Sequence, residues 1–181
     1  DWSSDVCSSD LLETLENAVT IGENNSELLR EIRRSKVKFI NKNQNTSWIF
    51  DRFNFVGRSL NDQFYNFNLN GYDAFQYTVY DSEDKGTYGW HMDTLLGESE
   101  DFSRNHSTRK LTLVMPLNRP GADYTGGELQ INLGQEKNPF TVETFRGRII
   151  AFPSFVIHRV APVATGIRKS IVIWIEGPKF V

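Results

Sequence analysis

Thiol chemistry is almost absent from this chain of 181 residues, whose one cysteine is Cys7. A single cysteine excludes an intrachain disulfide and any cysteine-based zinc cluster. Charge of one sign is lacking as well. Twenty basic residues stand against 23 acidic ones, and the net charge of −3 implies no general pull toward nucleic acid or a membrane surface. Long hydrophobic runs are missing: stretches such as SIVIWI are far too short to cross a bilayer. No signal peptide or targeting segment is recognisable, which points to the cytoplasm. There is no internal repeat and no low-complexity tract. What is abundant is aromatic bulk, 13% of residues with 13 phenylalanines among them, in a length that suits one domain with a sizeable core.

The opening DWSSDVCSSDL resembles a translated sequencing-adapter oligonucleotide, so residues 1–10 are set aside and a single domain is expected over 11–181. NSELLREIRRSK carries Leu28, Leu29 and Ile32 at helical spacing behind Asn25 or Ser26 as a cap. Its basic residues, including Arg30, Arg33 and Arg34, read more simply as a solvated helix end than as a nucleic-acid patch. KVKFI is a short strand. TSWIFDRFNFVGRSLNDQF is a second helix, capped by Thr46 or Ser47, with Ile49, Phe53, Val56 and Leu60 as its core stripe. After residue 63 the period changes to two. FYNFNLNGYDAFQYTVY reads as strand, Asn-Gly turn, strand, and TYGWHMD, KLTLVMPLN, GELQINL, TVETF, GRIIAFP, VIHRVAPV and RKSIVIWIEG follow as short strands. RPGADYTGG, GQEKNP and ATG mark turns between them. The order argues a mainly β protein, a barrel or jelly roll flanked by two N-terminal helices. Residues 94–108 are long for a connection and fit a lid or a plain surface excursion equally.

Polar residues collect on strand faces where a core is expected. His91 and Asp93 are two apart, hence on one side of an extended chain. Gln76, Thr78 and Tyr80 share a face, as do Arg168, Ser170, Val172 and Trp174. The last set mixes charge with large apolar groups, which suits the mouth of a barrel better than open water. A His-x-Asp pair alone is a weak signal. His158, on a later strand, completes two imidazoles and one carboxylate, the facial triad of non-haem Fe(II) oxygenases, with three coordination positions open for a chelating cosubstrate and O2. Arg168 offers a planar, permanent cation for a carboxylate tail, and Ser170 a further donor.

The order YGWHMD, TGGELQI, GRIIAFPSFVIHRVAPVATGIRKSIVIWIEGP resembles the Fe(II)- and 2-oxoglutarate-dependent dioxygenases, in their prolyl 4-hydroxylase-like branch, from about residue 34 onward. The resemblance implies a double-stranded β-helix, the cupin-like jelly roll. It implies His91, Asp93 and His158 as iron ligands, Arg168 and Ser170 as holders of the 2-oxoglutarate distal carboxylate, and Tyr80 and Tyr88 as linings of its pocket. It further implies O2 as co-reactant, ascorbate as an accessory reductant, and a peptide or small-molecule substrate such as peptidyl proline or an amino acid; the charge balance and short apolar runs favour neither nucleic acid nor membrane as partner. Some relatives place a tyrosine on the strand after the lid. KLTLVMPLN has none, so Ser170 or Thr112 is expected to serve. Glu128 is a candidate acceptor for a ligand histidine. His106, Arg148 and Arg159 are secondary candidates for metal or acidic-substrate contact. The alternative is a jelly-roll module that binds metal or ligand without redox turnover.

Overall fold

The computed structural model describes residues 32–94, 107–134 and 137–180, together with the backbone of Glu16–Asn17. In chain order the elements are β1 (Glu16–Asn17), β2 (Arg33–Arg34), β3 (Lys36–Asn41), α1 (Ser47–Leu60), a π-helical turn (Asn61–Tyr65), β4 (Ala74–Asp81), β5 (Thr87–His91), β6 (Ser107–Pro116), β7 (Tyr124–Gly126), β8 (Leu129–Ile131), β9 (Phe140–Thr141), β10 (Ile150–Pro153), β11 (His158–Val160) and β12 (Val163–Pro178). They form two antiparallel sheets. The larger runs β1-β3-β4-β12-β6-β10, with β7 attached to β12, and the smaller runs β2-β5-β11-β8-β9. This is the expected jelly roll.

Strand alternation separates two kinds of interior. On the outer face of the larger sheet, Ile171, Ile173 and Ile175 of β12 join Phe75, Tyr77, Leu111, Leu113 and Met115, and α1 covers them with Ile49, Phe50 and Phe53. Burying a ring such as Phe53, which is fully enclosed, stabilises the fold by about 1.5–3 kcal/mol. Close approach of helix to sheet needs a missing side chain: a Cβ on Gly57 would meet Ile175 Cδ1 at 2.7 Å. The inner face of the same sheet carries Tyr80, Thr112, Val114, Arg168, Ser170 and Val172. With Phe152 of β10 it meets Leu129 and Val160 of the smaller sheet in two smaller apolar clusters beside the polar residues.

Several local expectations are corrected. Thr46 occupies the N-cap position of α1 but does not cap it: its hydroxyl donates to the Asn41 carbonyl and accepts from the Asn43 N–H. The strand expected from residue 64 is absent, because Asn61 turns its amide onto both backbone groups of Phe67 and Asn66 adopts a left-handed conformation (φ 52°). The period-two residues Tyr65, Phe67 and Leu69 instead pack irregularly against the outer core. TVETF shrinks to Phe140–Thr141, whereas Tyr124–Gly126, read as turn, pairs with β12. The helix expected over 25–36 lies mostly outside the described residues. Where it enters them, Ile32 is helical, and Arg33–Arg34 then pair with Tyr88 and Thr87 as an edge strand. Residues 1–10 and 95–106, the latter including His106 and most of the suggested lid, also lie outside the described residues. No described helix is long and apolar enough to cross a membrane.

Candidate active site

His91 ends β5 and His158 opens β11, and the two strands pair with these residues directly opposite. Register alone therefore brings the imidazoles together, ring centres 4.2 Å apart. Asp93 follows just past the strand end, where its N–H donates to the Ser154 carbonyl at 2.9 Å. Asp93 Oδ1 lies 3.6 Å from His91 Nε2, and Oδ2 lies 3.5 Å from His158 Nε2. One donor atom from each residue falls within 4.8 Å of the others. Asp93 and His158 are only 6% and 5% exposed.

The hydrogen bonds around this cluster decide what it can hold. His91 donates Nδ1–H to the Gly89 carbonyl and His158 donates Nδ1–H to the Val156 carbonyl, both at 2.8 Å. With the tautomers assigned on those bonds, a ring in its neutral form turns its Nε2 lone pair toward the carboxylate. Acceptors then face acceptors, and only a proton or a cation between them removes the repulsion. A proton on His158 is disfavoured, since burial pushes its pKa below the ordinary 6.5 despite the opposing pull of Asp93. At Asp93 burial acts upward, but His91, the charge of His158 and the Thr112 hydroxyl together outweigh it and hold the carboxyl at about 2. An ionised carboxylate between two imidazoles, each ring steadied by an outer hydrogen bond, fits Fe(II).

Tyr88 stacks on His91, ring centroids 3.5 Å apart and planes 13° off parallel, and the Arg33 guanidinium lies 4.5 Å from the centre of the Tyr88 ring. Burial raises the Tyr88 pKa, partly offset by Arg33, so the phenol stays neutral. Across the same cavity stands Arg168, 2% exposed, 5.2 Å from the Tyr80 ring centre. Its Nη1 donates to Ser170 Oγ at 3.1 Å, which leaves the serine proton available. Its Nε–H is buried without a partner among the described residues. A buried guanidinium N–H in that condition calls for an anionic acceptor. Gly127 makes room for it: φ is +66°, and a Cβ there would meet Arg168 Cδ at 2.9 Å.

All seven expected residues, His91, Asp93, His158, Arg168, Ser170, Tyr80 and Tyr88, thus border one cavity. Other expectations fail. Thr112 hydrogen-bonds to Asp93 rather than standing by for a cosubstrate. Glu128 is exposed, and backbone carbonyls rather than a carboxylate accept from His91 and His158. Arg159 is engaged by Gln130 and the Trp90 ring, and Arg148 by Glu143 and the Phe145 ring. Two contributors were not anticipated. Arg33 is buried rather than a solvated helix charge. Tyr124, in the segment read as a turn, sets its hydroxyl against Arg168 and Thr144. A basic residue followed by a period-two strand was the available signal for the first; none existed for the second.

A family model of the 2OG-Fe(II) oxygenase superfamily matches residues 75–176. A PKHD-type hydroxylase of Colwellia psychrerythraea is 38% identical over 92 residues, 51% of this chain and 38% of that protein. One from a Psychrobacter species is 36% identical over 90 residues, 50% and 33% respectively. The match thus spans less than two fifths of the length of either curated relative. Among solved structures, a prolyl hydroxylase from Trichoplax adhaerens, in complex with a hypoxia inducible factor oxygen degradation domain peptide fragment, superposes with a TM-score of 0.72 at 19% identity, covering 96% of this chain and 77% of that one. A Pseudomonas putida prolyl-4-hydroxylase gives 0.64 at 19% identity, covering 93% and 80%. At these identities the structural likeness speaks for the fold.

Proposed function

Because the chain belongs to the 2OG-Fe(II) oxygenase superfamily, we propose that it is a dioxygenase that couples oxidative decarboxylation of 2-oxoglutarate to succinate and CO2 with hydroxylation of an organic substrate. Fe(II) bound with 2-oxoglutarate supplies the activation of O2 and the oxidising power for the hydroxylation. The chain's own residues hold, orient and shield. His91, Asp93 and His158 would hold the metal. Arg168 and Ser170, with Tyr124 beside them, would bind the distal carboxylate and so orient the cosubstrate. Tyr80 and Tyr88 line the path between. Val114, Leu129 and Val172 keep that cavity dry, so each polar contact acts at low dielectric.

The observation that carries this reading is Arg168, a buried guanidinium with an unpaired N–H, opening on the cavity of a His-Asp-His cluster. A binding module without redox turnover would leave that cation unexplained. The proposed substrate class is peptidyl proline or a free amino acid, and ascorbate is the proposed reductant for idle iron. Peptidyl proline is supported by the hydroxylase relatives and the prolyl hydroxylase neighbours. It is supported too by an open groove lined by Phe39, Tyr72, Arg109 and Trp174, which adjoins the cavity through Trp174. The test supplies Fe(II), 2-oxoglutarate and air, screens prolyl peptides and amino acids, and follows succinate. Substrate-stimulated succinate release that disappears in Arg168→Ala supports the proposal; none from the native protein on any substrate, or equal release from the variant, overturns it.

A further inference from the structure

We infer that Thr112, fixed by Ser154, is a positioning residue that commits Asp93 to the metal through a single oxygen; this rests on the iron-binding reading above. Thr112 lies on the inner face of the larger sheet, opposite Trp174 of β12 and Phe152 of β10. It is fully buried and donates its Oγ1 proton to Asp93 Oδ2 at 2.8 Å. The Ser154 hydroxyl, also fully buried, lies 2.9 Å from Thr112 Oγ1. A hydroxyl has one proton, and that of Thr112 is engaged by the carboxylate, so Ser154 must be the donor at this second contact. The backbone of Ser154 is equally committed. Its carbonyl accepts the N–H groups of Asp93 and Thr94 at 2.9 and 3.0 Å, and its N–H donates to the Lys110 carbonyl at 2.9 Å. One serine therefore fixes both the turn that bears Asp93 and the hydroxyl that meets its side chain.

The fold itself has no need of two hydroxyls here. Valine has nearly the shape of threonine and suits a buried strand position at least as well. The hydroxyls are explained by the carboxylate. A carboxylate that grips a cation with both oxygens takes two positions in its coordination sphere, whereas a site that must admit a chelating cosubstrate and O2 has only one to give. A charge-assisted hydrogen bond on Oδ2 weakens that oxygen as a metal donor and locks the carboxylate plane, which leaves Oδ1 as the ligand.

The test compares native protein, Thr112→Val, Thr112→Ser and Ser154→Ala, using Co(II) as a spectroscopic probe without 2-oxoglutarate. Binding is titrated through the visible Co(II) absorption, and far-ultraviolet circular dichroism of the metal-free proteins checks folding. Thr112→Val is expected to fold, to bind Co(II) about 10-fold or more weakly, and to change the shape of the Co(II) spectrum. Thr112→Ser restores both, and Ser154→Ala shifts both in the same direction by less. Native affinity and spectrum in Thr112→Val, or a serine variant no better than the valine one, overturns the inference while the iron reading stands. Should Thr112→Val not fold, a Ser154→Ala variant identical to native overturns it alone. A native protein that takes up no Co(II) overturns the iron reading and this inference with it.

Discussion

Of the side chains fully enclosed among the described residues, the largest is the guanidinium-bearing Arg168. Burying a cation costs several kcal/mol unless something answers it. Among the described residues, Ser170 and Tyr124 answer it with neutral groups, and the proposed function supplies the remaining compensation as a ligand carboxylate. Hydrogen bonds between charged partners contribute about 1.5–3 kcal/mol. Arg168→Ala is accordingly expected to weaken 2-oxoglutarate binding about 10- to 100-fold by calorimetry on the metal-loaded protein, with metal affinity retained. His158 sets a different dependence. Its folded pKa lies below its ordinary 6.5, so as pH falls through 6.5 the unfolded chain takes up a proton that the folded one refuses. The stability this group contributes is present above pH 6.5 and is lost toward the lower folded value. Thermal melts of the metal-free protein should show the melting temperature falling over that range, with a shallower fall in His158→Gln. Equal slopes would contradict the assignment of a buried neutral imidazole.

At the scale of elements, β12 does the most, because one face completes the outer core and the other presents Arg168 and Ser170 to the cavity. Removing the helix contact tests the first face: Phe53→Ala is expected to cost about 3–5 kcal/mol in denaturant unfolding while the cluster of ligands, on the opposite side of the sheet, keeps its metal affinity. The turn between β7 and β8 tests the second. Gly127→Ala imposes strain at φ +66° and crowds Arg168, so the KM for 2-oxoglutarate should rise with metal affinity unchanged. This division was legible in RKSIVIWI and AFQYTVY, where period-two alternation sets Arg168 and Ser170, and Gln76, Thr78 and Tyr80, on one face and Ile171, Ile173, Phe75 and Tyr77 on the other. The meeting of His91, Asp93, His158 and Arg168 at one cavity was legible too, since their residue types and order restrict the chemistry. Tyr65, Phe67 and Leu69 misled, because alternation there reflects packing of an irregular segment whose backbone is satisfied by the Asn61 amide. Thr112, Arg33 and Tyr124 were misplaced for a common reason: their roles depend on which strands become neighbours, and a register such as His158 opposite His91 is a long-range fact that local pattern does not contain.

Across the whole molecule the two sheets divide the labour. The smaller contributes His91, His158 and, from the turn after β5, Asp93; the larger contributes Arg168, Ser170 and the Thr112 hydroxyl that reaches over to Asp93. A bound metal therefore bears on the contact between sheets, and its binding energy adds to the stability of the folded state. At a free concentration one hundred times its Kd, a divalent metal should stabilise the protein by about 2.7 kcal/mol, seen as a rise in melting temperature that a chelator reverses. The claim on which all else depends is that one cavity takes Fe(II) at the three donors and 2-oxoglutarate between that metal and Arg168. Anaerobic addition of Fe(II) and then 2-oxoglutarate tests it most directly, through the weak visible charge-transfer band of the chelate. The band should develop in the native protein, saturate at one equivalent, and be absent from His158→Ala; a native protein that stays colourless under these conditions would contradict the account.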